Sequence, residues 1–178
     1  MGEHTEVLFL GGRSGVGKTS VGHEIHAQLA SGRVRHALID GDYLGMAYPA
    51  PDALGIAESN LGLIWANYER HGYTHLVYSQ TVSVLHSSEL REAMGGTRQA
   101  VGVLLTSTDE TACARLSQRE NGSELAIHIK RSTSIARRLE DESPGWVHRV
   151  STDNRSLQSI ASEIIELTNW TEVRRVSW

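Results

Sequence analysis

Short apolar runs alternate with longer stretches of helical spacing along the whole chain. Val7-Leu8-Phe9-Leu10 stops at Gly11-Gly12, as a strand buried on both faces would. Val21, Ile25 and Leu29, four apart, predict a helix that ends at Ser31-Gly32. His36-Ala37-Leu38-Ile39 predicts a second strand, closed by Asp40-Gly41-Asp42. Residues 43–56 lack a period and hold two of the three prolines, Pro49 and Pro51. Leu61, Ile64, Trp65 and Tyr68 then mark one helical face that ends near His71-Gly72.

The alternation continues. His75-Leu76-Val77-Tyr78 predicts a third strand, Ser88 to Met94 a short helix, and Val101-Gly102-Val103-Leu104-Leu105 a fourth strand. Ser107-Thr108-Asp109-Glu110 reads as a capping box with Ser107 at the helix start. Residues 123–142 are helical in propensity and rich in charge, and Pro144-Gly145 breaks them. Trp146 to Val150 predicts a fifth strand, and Leu157, Ile160, Ile164 and Leu167 a last amphipathic helix. Strands alternating with helices imply parallel β-α-β units, hence an α/β sandwich with a sheet covered on both faces. No repeat or linker interrupts the pattern, so residues 1–178 are expected to form one domain.

Composition narrows the classes. A net charge of −4 argues against a general nucleic-acid or anionic-membrane binder. A single cysteine, Cys113, excludes an internal disulfide and a multi-cysteine zinc site, and its place between Ala112 and Ala114 predicts a packed side chain. His23 and His26, three apart, lack acidic partners and read as solvated helix residues. The acidic start lacks the pattern of a signal peptide, and no apolar run reaches the ~18–20 residues of a membrane span. The expectation is a cytoplasmic protein, with its oligomeric state unread.

The chemistry concentrates in Gly12-Arg13-Ser14-Gly15-Val16-Gly17-Lys18-Thr19, a full match to G-x-x-x-x-G-K-[ST]. Glycines let consecutive backbone N–H groups turn inward onto phosphate oxygens beside a helix N-terminus. The lysine reaches the β- and γ-phosphates and the threonine hydroxyl ligates Mg²⁺. These eight residues and the following Ser20 are the nucleotide-binding candidates, with ATP and Mg²⁺ as the implied ligands. No Asn-Lys-x-Asp run, which GTPase switches use for guanine, is present. The third strand ends in Ser79-Gln80-Thr81 without an acid, so Asp40 and Asp42 are the best-placed carboxylates.

The P-loop, the Asp40-Gly41-Asp42 turn and a helix carrying Arg115 and Arg119 together resemble the small P-loop kinases. Asp-Gly-Asp after the second strand is similar to adenylylsulfate kinases, although Tyr43 replaces the Asn that follows there. Asp42, Leu44 and Pro49 match the layout of chloramphenicol phosphotransferases. The resemblance implies a five-stranded parallel sheet of order 2-3-1-4-5 with a helical lid over about residues 120–145. It implies that Asp42 is the base that activates an acceptor hydroxyl. Asp40 would hold Mg²⁺ through water or share the base role.

It also implies that Arg115 and Arg119 begin the lid and stabilise the transferred group, joined by Arg131, Arg137 and Arg138 and hinged at Gly122 and Gly145. Thr152-Asp153-Asn154-Arg155 would border adenine. Trp65 and Tyr68 fall where an acceptor pocket or ordinary helix packing would use them. The expected activity is Mg·ATP-dependent phosphorylation of a small-molecule hydroxyl, on a metabolite or an antibiotic-like acceptor. The alternatives are an ATP-dependent regulatory protein without a small-molecule product, and a nucleotide or nucleoside kinase.

Overall fold

The computed structural model describes residues 6–49, 55–96, 99–118 and 124–170. In chain order its elements are β1 (Glu6–Gly11), α1 (Lys18–Ser31), β2 (His36–Asp40), α2 (Ile56–Arg70), β3 (His75–Ser79) and α3 (Ser87–Ala93). There follow β4 (Gln99–Thr106), α4 (Asp109–Ser117), α5 (Glu124–Glu142), β5 (His148–Ser151) and α6 (Leu157–Thr168). The strands form one sheet in the order β2-β3-β1-β4-β5, and every pairing is parallel. Fold class and strand order are as the sequence led us to expect.

Alternation along the strands divides the core into two layers. On β1, Leu8 and Leu10 face Val21, Ile25 and Leu29 of α1 and Ile160 and Ile164 of α6. Val7 and Phe9 face the other way, toward Leu61 and Trp65 of α2, Leu90 of α3 and Leu139 of α5. Each such side chain, fully buried, contributes roughly 1.5–3 kcal/mol of transfer free energy. Two filled layers on one sheet make the three-layer sandwich that parallel strands require.

Three local expectations shift. The fifth strand begins at His148 rather than Trp146, because the Val147 amide donates to the Pro144 carbonyl at 3.0 Å and stays in the preceding turn. The Trp146 ring instead covers Gly102 of β4, where a Cβ would collide with it. Helix α4 is capped by Thr108, whose hydroxyl accepts from the Thr111 amide at 3.2 Å, and not by Ser107. The Thr108 amide is held by Asp153 Oδ2 at 2.9 Å, which fixes the entry one residue later. Cys113 is half-buried on α4, not packed in the core.

Candidate active site

The P-loop leaves β1 where the sheet order reverses. The neighbours of β1 are β3 and β4, while the next strand in sequence, β2, lies beyond β3. Open parallel sheets form their ligand crevice at such a switch point, beyond the carboxyl ends of the strands. The loop is clamped from below: the Gly12 amide donates to the Thr81 carbonyl and the Gln80 amide to the Leu10 carbonyl, each at 3.1 Å. A Cβ at Gly12 would lie 2.8 Å from the Leu105 carbonyl oxygen, and one at Gly15 2.7 Å from that of Ala112. Both residues also have positive φ, so glycine is needed for space and for conformation.

Lys18 opens α1 and curls over the loop, its Nζ donating to the Gly12 carbonyl at 2.9 Å and toward that of Arg13 at 3.4 Å. Val16 is fully buried beneath the loop. Thr19 is exposed and Ser20 half-buried in the same first turn. The Arg13 side chain turns toward α5 and the start of α4. It is 4% exposed, and its guanidinium donates to Ser132 Oγ at 2.8 Å, to Thr133 Oγ1 at 3.0 Å and to the Asp109 carboxylate. Ser132 in turn donates to the Ser14 carbonyl at 2.8 Å. The loop is thereby fastened to α5.

Helix α5 and the P-loop enclose a cavity of about 270 Å³, lined among others by Ser14, Thr81, His128, Arg131 and Ser132. Residues 128, 131, 132 and 135 are spaced as one helical face, the signal that would have singled out His128 and Ser132 beforehand. Of the three arginines expected on this segment, Arg131 lines the cavity, while Arg138 pairs with Glu142 at 2.9 Å along the helix. Arg137 is exposed. A larger cavity, about 590 Å³, lies at the opposite, amino-terminal edge of the sheet beside Glu6, Gln99 and Trp170, away from the P-loop.

Asp40 ends β2, in register with Ser79 of β3, so a carboxylate stands one strand over from the acid-free end of β3. Its Oδ1 accepts from the Asp42 amide at 3.0 Å and caps a single 3-10 turn over Gly41–Tyr43. Asp42 is exposed on that turn. Beneath it the Tyr78 ring is fully buried, and its hydroxyl packs so closely that a Cβ on Gly41 would collide with it. Burial first, then the charges of Glu58, Asp42 and Asp40, push the Tyr78 phenol far above its ordinary range and keep it neutral.

Hydroxyl and carboxylate oxygens are hard donors that suit Mg²⁺. Among the described residues no group of three or more His, Cys, Asp or Glu side chains could hold a metal by itself.

Arg115 spans two loops: Nη1 donates to the Val16 carbonyl and to Thr152 Oγ1, each at 3.0 Å, and Nη2 to the Thr152 carbonyl at 3.2 Å. It braces the P-loop against the segment after β5, where Thr152 is buried and Asp153 is held below the usual carboxylate range, first by a hydrogen bond from Thr111. Arg119 and Gly122 lie outside the described residues. Trp65 is fully buried among the side chains under α2, and the Tyr68 ring lies tilted beside it with centroids 6.2 Å apart, so helix packing accounts for both. His26 is exposed, as expected, and its ring shares a 2.8 Å contact with the buried His36.

This fold and loop define a P-loop NTPase architecture. Among solved structures the chain is similar to small P-loop kinases. A gluconokinase from Sinorhizobium meliloti aligns over 94% of this chain and 95% of its own, at TM-score 0.59 and 19% identity. The tunicamycin resistance protein of Deinococcus radiodurans aligns over 92% and 95%, at TM-score 0.65 and 15% identity. A shikimate kinase from Acinetobacter baumannii, in complex with shikimate, aligns over 93% of each chain, at TM-score 0.57 and 16% identity. No protein-family model and no curated protein matches the sequence.

Proposed function

We propose that the protein transfers the γ-phosphoryl group of Mg·ATP to a hydroxyl of a small molecule in the cytoplasm. One observation carries this: the P-loop sits at the switch point beside Asp40-Gly41-Asp42, under a helix that brings Arg131 to its outer side. The likeness in fold to small-molecule kinases supports the same reading.

In this proposal the N–H groups from Gly12 to Ser20 cradle the phosphates, and Lys18 swings from the Gly12 carbonyl onto the β- and γ-oxygens. Thr19 and Asp40 would hold Mg²⁺, which neutralises phosphate charge when bound. Asp42 orients the acceptor hydroxyl and takes its proton. The acceptor oxygen bonds to Pγ, the bond from Pγ to the bridging oxygen breaks, and ADP leaves with that electron pair. Residues 120–145, with Arg119, Arg131 and neighbouring cations, act as the lid that excludes water. Arg115 serves the reaction by holding the P-loop and the segment after β5 together.

The test is to incubate the protein with Mg·ATP and hydroxyl compounds, nucleosides and nucleotides included, and to seek the phosphorylated product by mass spectrometry. Lys18→Ala should lose ATP binding and product together. Nucleotide-dependent capture of a protein partner without any product would favour a regulatory protein instead.

A further inference from the structure

We infer that the acceptor carries an anionic group besides its reacting hydroxyl, and that Arg131 and His128 bind that group. This rests on the kinase reading above and adds the chemical class of its second substrate.

The three guanidinium groups beside the P-loop differ in what they hold. Arg13 is buried and donates to Ser132, Thr133 and Asp109. Arg115 donates to the Val16 carbonyl and to Thr152. Arg131 is exposed, lines the cavity between α5 and the P-loop, and makes no hydrogen bond or ion pair with any described residue. A free guanidinium on a cavity wall offers a two-point grip to a carboxylate, sulfate or phosphate. His128, three residues earlier on the same helical face, brings an imidazole to the same cavity. Leu116 and Ile135 add apolar wall, beside which an ion pair is stronger than in open water.

Position decides which anion this is. The phosphates of the nucleotide belong to the backbone N–H groups of the P-loop and to Lys18. The cavity is lined by Ser14 and Thr81 and by none of residues 15–19, so it opens beside the phosphate cradle. Thr81 follows β3, which lies between β1, the strand that leads into the P-loop, and β2, the strand that ends at Asp40. Asp40 is in register with Ser79, and neighbouring strands are ~4.8 Å apart, so the Asp40-Gly41-Asp42 turn starts one strand spacing from the end of β3. One small molecule can therefore point its hydroxyl at Asp42 and its acid group at Arg131. The cavity, about 270 Å³, is at the lower end of small-molecule pockets, which suits a compact acceptor. Binding the acid at one end fixes the hydroxyl at the other for attack on the γ-phosphorus.

The experiment uses the full chain, γ-³²P-labelled ATP with Mg²⁺, and hydroxyl compounds in matched pairs with and without an acid group. Suitable pairs are glycerate with glyceramide, glycerol 3-phosphate with glycerol, and 4-(hydroxymethyl)benzoate with its amide. Label should pass to the acids, with kcat/KM about tenfold or more above that of their uncharged partners. The pair that shows the larger ratio separates a carboxylate from a phosphate. Arg131→Met should bring the ratio close to one by raising KM for the acids, while Mg·ATP affinity changes far less. Arg131→Lys should keep part of the preference. Equal use of both members, or preference for the uncharged ones, would overturn this inference and leave the kinase reading standing. So would an Arg131→Met chain that loses Mg·ATP affinity and keeps the ratio, which would assign the arginine to the nucleotide. Transfer to no member of any pair, with ATP still bound, would overturn both.

Discussion

His36 begins β2 with its ring 8% exposed, one nitrogen against the Val34 carbonyl at 2.8 Å and the other against His26 at 2.8 Å. Desolvation, then the neighbouring rings of His26 and His75, lower its pKa below the ordinary 6.5, against the Val34 carbonyl, which raises it. Above that value both folded and unfolded chains hold the ring neutral. As pH falls through it the unfolded chain takes the proton first, so stability declines until the folded ring titrates too. Denaturant titrations from neutral pH down to about pH 5 should show that loss, and His36→Phe should flatten it. Gly41 is a second sensitive residue. Gly41→Ala should destabilise the fold by about 1–3 kcal/mol, because the added methyl meets the Tyr78 hydroxyl under a turn that cannot move without shifting Asp42. Neither partnership is visible in sequence, since His26–His36 and Gly41–Tyr78 join separate elements. The P-loop glycines, by contrast, were legible because their spacing itself encodes the turn.

Among the elements, the union of α5 with the P-loop is the feature that positions the site. Arg13 was legible only as a spacer within the motif, yet its side chain reaches Ser132, Thr133 and Asp109, residues about a hundred positions away. Arg13→Ala should cost about 2–3 kcal/mol in denaturant unfolding, because buried Ser132 loses a charged partner. Weakened Mg·ATP binding should accompany it, as the Ser14 carbonyl is held by the same serine. Strands β1 to β4 could be read because buried parallel strands are unbroken apolar runs. The start of β5 and the cap of α4 could not: the turn at Pro144 runs on to hold the Val147 amide, and Asp153, 45 residues away in sequence, holds the Thr108 amide. Trp65 illustrates the same limit. Its helical spacing revealed the face, but only packing distinguishes a core tryptophan from a pocket wall.

At the scale of the molecule, a chain of net charge −4 still brings a lysine and an arginine to its P-loop. Lys18 curls over the P-loop and Arg131 of α5 lines the cavity beside it, while Asp40 and Asp42 stand at the turn after β2 and Glu58 in the first turn of α2. The sheet order follows from β-α alternation plus the P-loop kinase resemblance, and it brings Asp40 beside the end of β3, where the sequence has no acid of its own. Its scarcity of lysine also gains meaning: of two lysines, Lys18 folds over the nucleotide loop and Lys130 is exposed on α5. The central claim is phosphoryl transfer with Asp42 as the base. It is tested most directly by comparing product formation and Mg·ATP affinity in the wild-type chain and in Asp42→Asn. The account predicts unchanged nucleotide affinity with product formation slowed by about 10²-fold or more. Transfer at the wild-type rate by Asp42→Asn would contradict it.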